Sequence, residues 1–593
     1  MKRTFDILDR LESIVPDKED MLAARVNNQW VKYSTRDYRR YSTLLAYGLM
    51  ALGIKKGDRI ATISNNRPEW NFMDIALSMG GFVHVPVYPT IGDEEYKYIF
   101  NHAEPQLVIV SDSALYKRIS VLAESAPSIR DIYTYNDVEG ARSWKELVSL
   151  GEANEEKYRA ELEETKKNIG EDDLLTLLYT SGTTGMPKGV MLTHKNLVSN
   201  AVTCDYHVDY GTKDRALSFL PISHVYERMI NMLFQYKGMS IYYAENMGTI
   251  ARDAQEVNPA IFGAVPRLLE NVYDKILGKG KDLKGITRSI FFWAVNLGLK
   301  YNPGGKNGFF YMLQLKIADK LVFSKWRSSL GGTKTIITGG AAIQPRLIRV
   351  FMAAGIEVYE GYGLTETSPV IAVGNQRTKE FRLGCAGLII KDVEVKIAED
   401  GEIIVRGPNV MRGYYKQPDL TKEAIDEDGY FHTGDIGEIV EGRFLKITDR
   451  KKEIFKLSSG KYIAPQAIEN KFKESFFIEQ LMVIGEHQKF ASALISPNFH
   501  FLHNWAAKHD FKFRDNEQLI KDQRVIERFQ QEVNELNKSL GQVERIKRFR
   551  LVKEEWSPAT GEMSPTLKLK RKVLAEKYKD IIQEIYSVDS DKE

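Results

Sequence analysis

The sequence predicts an α/β protein with a large N-terminal domain of layered sheets and helices and a small α+β domain at its C-terminal end. Short runs of β-branched residues alternate with longer helical patterns, and two of these runs lead directly into glycine-rich turns. The pattern changes near residue 450, where short strands and an amphipathic helix follow. A chain of 593 residues is also too long for one hydrophobic core, so at least two domains are expected.

The first domain is predicted to contain buried strands at residues 59–64, 106–111, 174–179 and 335–338, because these runs are short, apolar and β-branched. The last two runs end in glycine-rich turns. Ligand-binding loops leave the strand ends in α/β proteins, and we therefore expect functional residues in those turns.

The second domain is predicted from strand patterns at 480–485 and 491–496 and from one helix that ends at Gly541. The unit would contain roughly 140 residues, an ordinary size for a domain. The helix has five apolar residues on one face, namely Val525, Phe529, Val533, Leu536 and Leu540.

The composition is that of an ordinary globular protein, with 43% hydrophobic and 27% charged residues. The formal net charge of only +3 argues against nucleic acid as a partner. Two cysteines, Cys204 and Cys385, are too few for a disulfide framework or a zinc cluster. Because no run of about 18 apolar residues is present either, we expect a cytoplasmic protein.

The strongest functional signal is the segment 179–190, Tyr-Thr-Ser-Gly-Thr-Thr-Gly-Met-Pro-Lys-Gly-Val, which follows a predicted strand. Gly182 and Gly185 free backbone N–H groups for a concave anion nest, and Lys188 adds positive charge. The segment is not a Walker A loop, because the required spacing of glycines before Lys-Ser/Thr is absent. It predicts a site for a polyphosphate.

Five further motifs follow in order: Gly339-Gly-Ala-Ala342, Gly361-Tyr-Gly-Leu-Thr-Glu-Thr367, Thr433-Gly-Asp435, Asp449-Arg-Lys-Lys452 and Pro565-Thr-Leu-Lys-Leu-Lys570. With them, nearly the whole chain resembles the adenylate-forming superfamily of acyl-CoA synthetases, luciferases and peptide-synthetase adenylation domains. The resemblance implies that ATP and Mg²⁺ are bound and that a carboxylic acid is converted to an acyl-adenylate.

The resemblance also assigns roles within the motifs. Tyr362 would stack on adenine, Thr365 would donate to the α-phosphate, and Asp435 would accept both ribose hydroxyls. Glu366, with Thr180 nearby, would hold Mg²⁺, a hard ion that prefers oxygen ligands. The ATP-binding residues implied in this way are Thr180, Ser181, Gly182, Thr183, Thr184, Gly185, Lys188, Gly339, Gly340, Ala341, Gly361, Tyr362, Gly363, Thr365, Asp435 and Arg450.

Three residues are predicted to be catalytic: Lys568, Glu366 and His224. Lys568 would stabilise charge as the carboxylate attacks the α-phosphate. The family usually has glycine before this lysine, whereas this sequence has Leu567, so Lys570 and Lys572 are competitors. His224 is expected to position groups between the acyl pocket and the phosphates rather than to transfer a proton.

The resemblance further implies a rotating small domain, with Lys452 as the pivot of the hinge. Gly460 matches the glycine loop that lets the pantetheine arm of coenzyme A pass close to the backbone. The predicted organisation is therefore a large domain at 1–448, a hinge at 449–452 and a mobile small domain at 453–593.

The acid is predicted to be a long-chain fatty acid, since segments 220–228, 262–268 and 275–335 resemble that branch of the superfamily. We interpret Glu227 and Arg228 as an ion pair on a helix, which disfavours an amino-acid substrate. The predicted activity is formation of acyl-AMP with release of pyrophosphate, followed by transfer to coenzyme A. Two alternatives stay open: a fatty acyl-AMP ligase that loads an acyl carrier protein, and an inactive fatty-acid-binding or uptake protein.

Segment 275–335 interleaves apolar clusters with lysine and arginine. This pattern fits peripheral contact with an anionic membrane surface, but it equally fits an ordinary helix core with basic residues outside. The sequence sets neither the preferred acyl chain length and unsaturation nor the oligomeric state.

Overall fold

The computed structural model describes residues 1–180, 186–305, 307–451, 453–509, 511, 513–557, 560–563 and 569–587. The chain divides into two compact units. The first unit is Met1–Lys396, Ile404–His432 and Val440–Leu445, and the second is Ile397–Ile403, Thr433–Ile439 and Lys446–Glu593. The predicted boundaries at 448 and 452 stay a prediction.

The strands are β1 Leu22–Val26, β2 Gln29–Tyr33, β3 Arg59–Ile63, β4 Val83–Val87, β5 Leu107–Val110, β6 Asp131–Thr134, β7 Arg142–Ser143, β8 Leu174–Thr180, β9 Lys188–Thr193, β10 Arg215–Ser218, β11 Ser240–Tyr243, β12 Ile261–Ala264, β13 Thr335–Thr338, β14 Glu357–Gly363, β15 Val370–Val373, β16 Gly387–Ile389, β17 Glu394–Ile397, β18 Glu402–Arg406, β19 Gly413–Tyr414, β20 Phe431–Val440, β21 Phe444–Arg450, β22 Phe455–Lys456, β23 Tyr462–Ile463, β24 Ile478–Ile484, β25 Ser492–Pro497 and β26 Arg548–Leu551.

The α-helices are α1 Asp6–Ile14, α2 Thr35–Ala51, α3 Pro68–Gly80, α4 Asp93–Ala103, α5 Ser113–Ala123, α6 Trp144–Lys167, α7 His194–Cys204, α8 Val225–Tyr236, α9 Ile250–Val257, α10 Pro266–Asp282, α11 Gly285–Leu299, α12 Phe309–Ala318, α13 Ser324–Ser329, α14 Pro345–Ala353, α15 Pro418–Ala424, α16 Pro465–Phe472, α17 Phe499–Lys508, α18 Asn516–Lys521, α19 Gln523–Asn537, α20 Arg571–Lys577 and α21 Lys579–Ser587.

The first unit contains two largely parallel sheets, which confirms the predicted α/β class. One sheet has the strand order β19-β9-β8-β4-β3-β5-β6-β7, and the other contains the run β16-β15-β14-β13-β12-β10-β11-β1-β2. The four strands predicted in the first domain are found as β3, β5, β8 and β13. Their β-branched residues are buried on both faces, as expected of parallel strands.

The core of the first unit lies between these two sheets. It combines residues of one sheet (Ile60, Leu107) and of the other (Ile241) with helices α2, α3 and α8. Every residue of α3 is buried, because this helix has protein on all sides.

The second unit is α+β, as predicted. Its strands β24 and β25 are antiparallel, and β26 pairs parallel with β25. The predicted helix is found as α19, but it ends at Asn537 rather than at Gly541. The Asn537 side chain donates to the Ile546 carbonyl at 2.9 Å and accepts from its N–H at 3.0 Å, and this contact holds the returning chain.

In the described part of the chain, none of the helices combines the length and apolar character that crossing a membrane requires.

Candidate active site

The predicted polyphosphate motif lies on the hairpin formed by β8 and β9. Thr180 ends β8, Lys188 begins β9, and the two residues are partners across the antiparallel pair. The Lys188 ammonium lies 4.7 Å from the centroid of the Tyr414 ring, a cation–π distance. Five residues of the motif lie outside the described residues, so their roles stay predictions: Ser181, Gly182, Thr183, Thr184 and Gly185.

Tyr414 also contacts the predicted magnesium ligand. Its hydroxyl donates to Oε1 of Glu366 at 3.0 Å. Burial, together with the neighbouring carboxylate, raises the pKa of Tyr414 far above its ordinary value, so the phenol keeps its proton and acts as a donor. One tyrosine thus has a cation against its ring and a carboxylate at its hydroxyl.

Buried amides hold the main chain around Glu366. Asn409 donates to the carbonyls of Thr367 at 3.0 Å and Val370 at 3.2 Å. Asn200 donates to the Val370 carbonyl at 2.8 Å and accepts from its N–H at 3.1 Å. These contacts fix the loop that presents the carboxylate, since the amides are buried and each makes two hydrogen bonds.

Tyr414, Asn200 and Asn409 were not predicted from the sequence. Tyr414 reaches the site because β19 pairs with β9, more than two hundred residues earlier in the chain. No spacing pattern marks that pairing. The side-chain amides of the two asparagines bind main-chain atoms of a loop that is distant in sequence, so no local motif identifies them.

The two glycine motifs predicted to bind adenine lie side by side. Strands β13 and β14 are parallel neighbours, with Thr338 opposite Glu360, so Gly339, which follows β13, lies beside Gly361 of β14. A Cβ at Gly339 would lie 3.2 Å from the Gly361 carbonyl oxygen, and one at Gly363 only 1.7 Å from that of Pro369. Glycine is required at Gly363 because backbone approaches so closely.

The other predicted residues of these motifs are Gly340, Ala341, Tyr362 and Thr365. Gly340 has a φ of 82°, a left-handed conformation that favours glycine. Tyr362 lies on β14, and Thr365 begins the short 3-10 turn that contains Glu366. The structure therefore places these motifs at one strand end, while their contacts with a nucleotide stay predictions.

His224 is the N-cap of α8. Its Nδ1 accepts from the Tyr226 N–H at 3.1 Å, so the proton of the neutral ring is on Nε2. The loop before it is held by Asn66, which donates to the Leu220 carbonyl at 2.6 Å and accepts from the Ile222 N–H at 2.9 Å. This geometry fixes the imidazole in orientation, in keeping with a positioning role.

The interpretation of Glu227 and Arg228 as an ion pair is wrong. Arg228 binds Asp74 instead, with Nη2 at 2.6 Å from Oδ1. Glu227 is 2% exposed and accepts from Ser218 at 2.5 Å and from Asn231 at 3.1 Å, both through Oε1. Consecutive residues of a helix point about 100° apart and do not face each other.

We expect Glu227→Gln to change how stability depends on pH. Burial raises the pKa of Glu227 from 4.5 to about 8. The fold favours the protonated form, so between these pH values the native state binds more protons than the unfolded state. The contribution of Glu227 to the free energy of unfolding is therefore largest below about pH 4.5 and falls as the pH rises towards 8, by about 1.4 kcal/mol for each pH unit within this window.

Urea denaturation of both proteins between pH 4 and 9 measures this effect. The glutamine variant should lose less stability across the range, because the amide does not titrate. The exposed Glu161→Gln is the matched control and should follow the parent protein. Parallel curves for Glu227→Gln and the parent would contradict the assignment.

The predicted ribose motif belongs to the second unit. Asp435 is 5% exposed, and its Oδ1 lies 3.4 Å from Nε of Arg450, the second predicted ribose ligand. The turn is held by Thr433, whose hydroxyl donates to the Ile403 carbonyl at 2.7 Å and accepts from the Asp435 N–H at 3.1 Å. Sequence motifs 15 residues apart are thus brought together, as the resemblance implies.

Gly460 lies in a tight turn between β22 and β23. It has a φ of 79°, and its N–H donates to the Leu457 carbonyl at 2.9 Å. No atom of the described residues lies within 4 Å of a Cβ built at this position, so the left-handed backbone is the reason for glycine here. Lys452 and Lys568 lie outside the described residues, and their roles as pivot and catalytic lysine stay predictions.

Arg571, three residues after the predicted catalytic lysine, forms ion pairs within the second unit. Arg571 binds both oxygens of Glu469 at 2.6 Å and Oε2 of Glu453 at 3.0 Å. Glu469 also accepts from the Val483 N–H at 2.8 Å. This partly buried arginine fixes the start of α20 to α16 and β24, and so fixes the chain three residues beyond Lys568.

The residues near Glu366 fit a magnesium site of the kind completed by phosphate. Within the described residues, no group of three or more His, Cys, Asp or Glu could hold a metal. Mg²⁺ is commonly bound by one or two carboxylates together with substrate phosphates and water. Glu366 suits this role, because Tyr414 engages Oε1 and no hydrogen bond from the described residues reaches Oε2.

Known proteins resemble this chain over most of its length. The chain is 34% identical over 585 residues to the long chain acyl-CoA synthetase 6, peroxisomal, of Arabidopsis thaliana, covering 94% of this chain and 82% of that protein. It is 31% identical over 575 residues to the long-chain-fatty-acid–CoA ligase FadD15 of Mycobacterium bovis, covering 95% and 93%.

The fold also matches a solved structure. The A domain of carboxylic acid reductase from Segniliparus rugosus, in complex with AMP and a co-purified carboxylic acid, aligns with a TM-score of 0.74 at 20% identity, covering 99% of this chain and 94% of that one. The profile of AMP-binding enzymes matches residues 14–415, and that of the AMP-binding enzyme C-terminal domain matches residues 452–590. The chain therefore belongs to the AMP-binding enzymes, among the adenylate-forming long-chain acyl-CoA synthetases.

Proposed function

We propose that this enzyme is an ATP-dependent ligase that activates a long-chain fatty acid and transfers the acyl group to coenzyme A. The fatty acid carboxylate attacks the α-phosphorus of ATP, and the bond to pyrophosphate breaks. The thiol of coenzyme A then attacks the acyl carbonyl, loses its proton, and AMP leaves. The observation that carries the proposal is the contact of Tyr414 with both Lys188 and Glu366, and the names of the relatives support the acid and the acceptor.

The residues of the first unit would act on the phosphates and the adenine. Lys188 would neutralise charge on the polyphosphate, since it begins β9 directly opposite Thr180, and the residues predicted to form the anion nest connect these two in the sequence. Thr365 would donate to the α-phosphate, and Tyr362 would stack on adenine. Mg²⁺, held by Glu366 and Thr180, would supply positive charge to the phosphate oxygens when bound.

The residues of the second unit would act on the ribose, the acyl carbonyl and the thiol. Asp435 would accept the ribose hydroxyls, and Arg450 would donate beside it. Lys568 would stabilise charge in the first half-reaction, and Gly460 would leave room for the pantetheine arm in the second. These two steps need different groups at one carbonyl, so we propose that residues 449–452 act as the hinge that exchanges them.

Separate assays of the half-reactions test the proposal. ATP–pyrophosphate exchange with fatty acids of graded length should depend on the fatty acid, and long-chain acids should be preferred. Coenzyme A and an acyl carrier protein are then offered separately, and only coenzyme A should be consumed. If only the carrier protein is loaded, the acyl acceptor is the carrier protein and the enzyme is a fatty acyl-AMP ligase. If no acid supports ATP–pyrophosphate exchange, the result favours an inactive fatty-acid-binding or uptake protein.

We also propose that the enzyme works in peripheral contact with a membrane. Long-chain fatty acids partition into lipid, because each buried methylene contributes about 0.8 kcal/mol. An enzyme at the bilayer surface would meet this substrate at a high local concentration.

A further inference from the structure

Helix α12 presents apolar side chains to solvent. Phe309 is 79% exposed, Phe310 77%, Leu313 51% and Ile317 48%. Scattered exposed apolar residues are common, but neighbouring large ones on a single helix indicate an interaction surface. Phe309, Leu313 and Ile317 are spaced four residues apart and therefore form a row along the helix.

The opposite side of the same helix packs against the protein. Leu315 and Ala318 are buried, and the Tyr311 hydroxyl donates to the Leu297 carbonyl of α11 at 2.7 Å. A surface helix normally buries one apolar stripe and carries polar residues on the other face. In α12 both faces carry apolar residues. Packing against the protein core explains the apolar residues of the buried face but not those of the exposed face.

Basic residues accompany this exposed face. Lys316 precedes Ile317 on α12, Lys320 lies in the π-helical segment Asp319–Phe323 that continues this helix, and both lysines are exposed. Residues 275–330 contain eleven Lys and Arg against two Asp and Glu, an excess of nine, although the whole chain has a net charge of only +3. One of the two acids, Asp319, is already paired with Arg327 at 2.5 Å. The segment is therefore strongly cationic within a nearly neutral chain.

An anionic lipid bilayer matches this combination better than a protein partner does. Interfacial helices place aromatic and aliphatic residues in the headgroup region, while lysines extend their stems and keep the ammonium groups among anionic headgroups. The cores of protein–protein interfaces are depleted in lysine. Exposed lysines next to the apolar row thus favour lipid over a second copy of the chain or another protein.

We propose that the face formed by Phe309, Phe310, Leu313, Lys316, Ile317 and Lys320 inserts into the headgroup region of an anionic bilayer. This inference rests on the proposed function, because the surface would hold the enzyme where its fatty acid is dissolved. The apolar residues would provide the anchor, and the lysines would provide the preference for anionic lipid.

Flotation of the full chain with phospholipid vesicles tests the surface. The parent protein should bind vesicles that contain 30% phosphatidylglycerol and bind pure phosphatidylcholine more weakly. Phe309→Ser with Phe310→Ser should weaken binding to anionic vesicles at least about tenfold. Lys316→Glu with Lys320→Glu should remove the anionic preference, because each basic residue near the surface contributes about fivefold.

Val121→Ser is the matched control, since Val121 is an apolar residue that is 65% exposed on another helix, α5. It should bind vesicles as the parent does. Unchanged binding of the double serine variant, or no binding of the parent to either vesicle, overturns the proposal. Loss of self-association in sedimentation velocity without a change in vesicle binding also overturns it, because the face would then join copies of the chain.

Activity on a short, water-soluble fatty acid without vesicles separates this proposal from the proposed function. The double serine variant should adenylate that acid at the parent rate, which also shows that it is folded. If the parent adenylates no fatty acid but still binds anionic vesicles through this face, the proposed enzymatic function is wrong. The proposal that this face binds a bilayer is then retained.

Discussion

Replacing Glu366 by glutamine is expected to lower kcat/KM at least about 100-fold and to raise the Mg²⁺ concentration needed for half-maximal activity. The amide has the shape of the carboxylate and still accepts from Tyr414, whose hydroxyl lies 3.0 Å from Oε1. The loop should therefore keep its conformation. What the variant loses is the negative charge, which a hard divalent ion requires.

Tyr414→Phe is the matched control for this prediction. It removes the hydrogen bond to Glu366 but keeps both the carboxylate and the aromatic ring that contacts Lys188. Loss of a group that orients a metal ligand typically costs about 10- to 100-fold in affinity. We expect the half-saturating Mg²⁺ concentration to rise less in Tyr414→Phe than in Glu366→Gln.

A titration of activity against Mg²⁺ at saturating ATP measures both variants. If Glu366 serves only to hold Tyr414, the order reverses and the phenylalanine variant is the more damaged. Normal activity of Glu366→Gln at limiting Mg²⁺ would remove this residue from the site.

The elements that the sequence predicts well depend on local patterns. Strands such as Thr335–Thr338 are buried on both faces, so their entire β-branched run is visible in the sequence. The juxtaposition of Gly339 and Gly361 follows from the same logic, because parallel neighbouring strands end at one edge of the sheet.

The contacts that escaped prediction depend on strand and helix packing. Arg228 forms an ion pair with Asp74, 154 residues away on α3. The carboxylate of the neighbouring Glu227 accepts a hydrogen bond from Ser218 of β10. Tyr414 reaches Glu366 only through the pairing of two-residue strand β19. Such positions are set by the tertiary structure, and the residue types alone fit many partners.

The sequence likewise does not predict which side chains of segment 275–335 are exposed to solvent. The aromatics of segment 275–335 divide between core and surface: Phe323 is fully buried, whereas Phe309 and Phe310 are more than three-quarters exposed. The helix-core interpretation is therefore correct for Phe323, whereas membrane contact of the exposed residues stays a proposal. The sequence pattern alone does not separate the two sets, because their exposure is set by tertiary packing.

Replacing Lys568 by alanine is expected to reduce adenylate formation about 100- to 1,000-fold, the usual effect of removing one group that stabilises transition-state charge. A lysine at the phosphates assists only the departure of pyrophosphate. Formation of the thioester from supplied acyl-AMP should therefore stay close to the parent rate. The two half-reactions are measured separately, by pyrophosphate exchange and by consumption of coenzyme A.

The neighbouring lysines provide the controls, because Leu567 replaces the usual glycine and leaves Lys570 and Lys572 as competitors. Arg571 lies between these two lysines, and its guanidinium is bound by Glu469 and Glu453. Both control lysines are therefore next to a fixed point of the second unit. Lys570→Ala and Lys572→Ala should leave both half-reactions nearly unchanged. A selective loss of adenylation in either control would assign the catalytic role to that residue instead. An equal loss of both half-reactions in a folded Lys568→Ala protein would show that this lysine does not act on the phosphates alone.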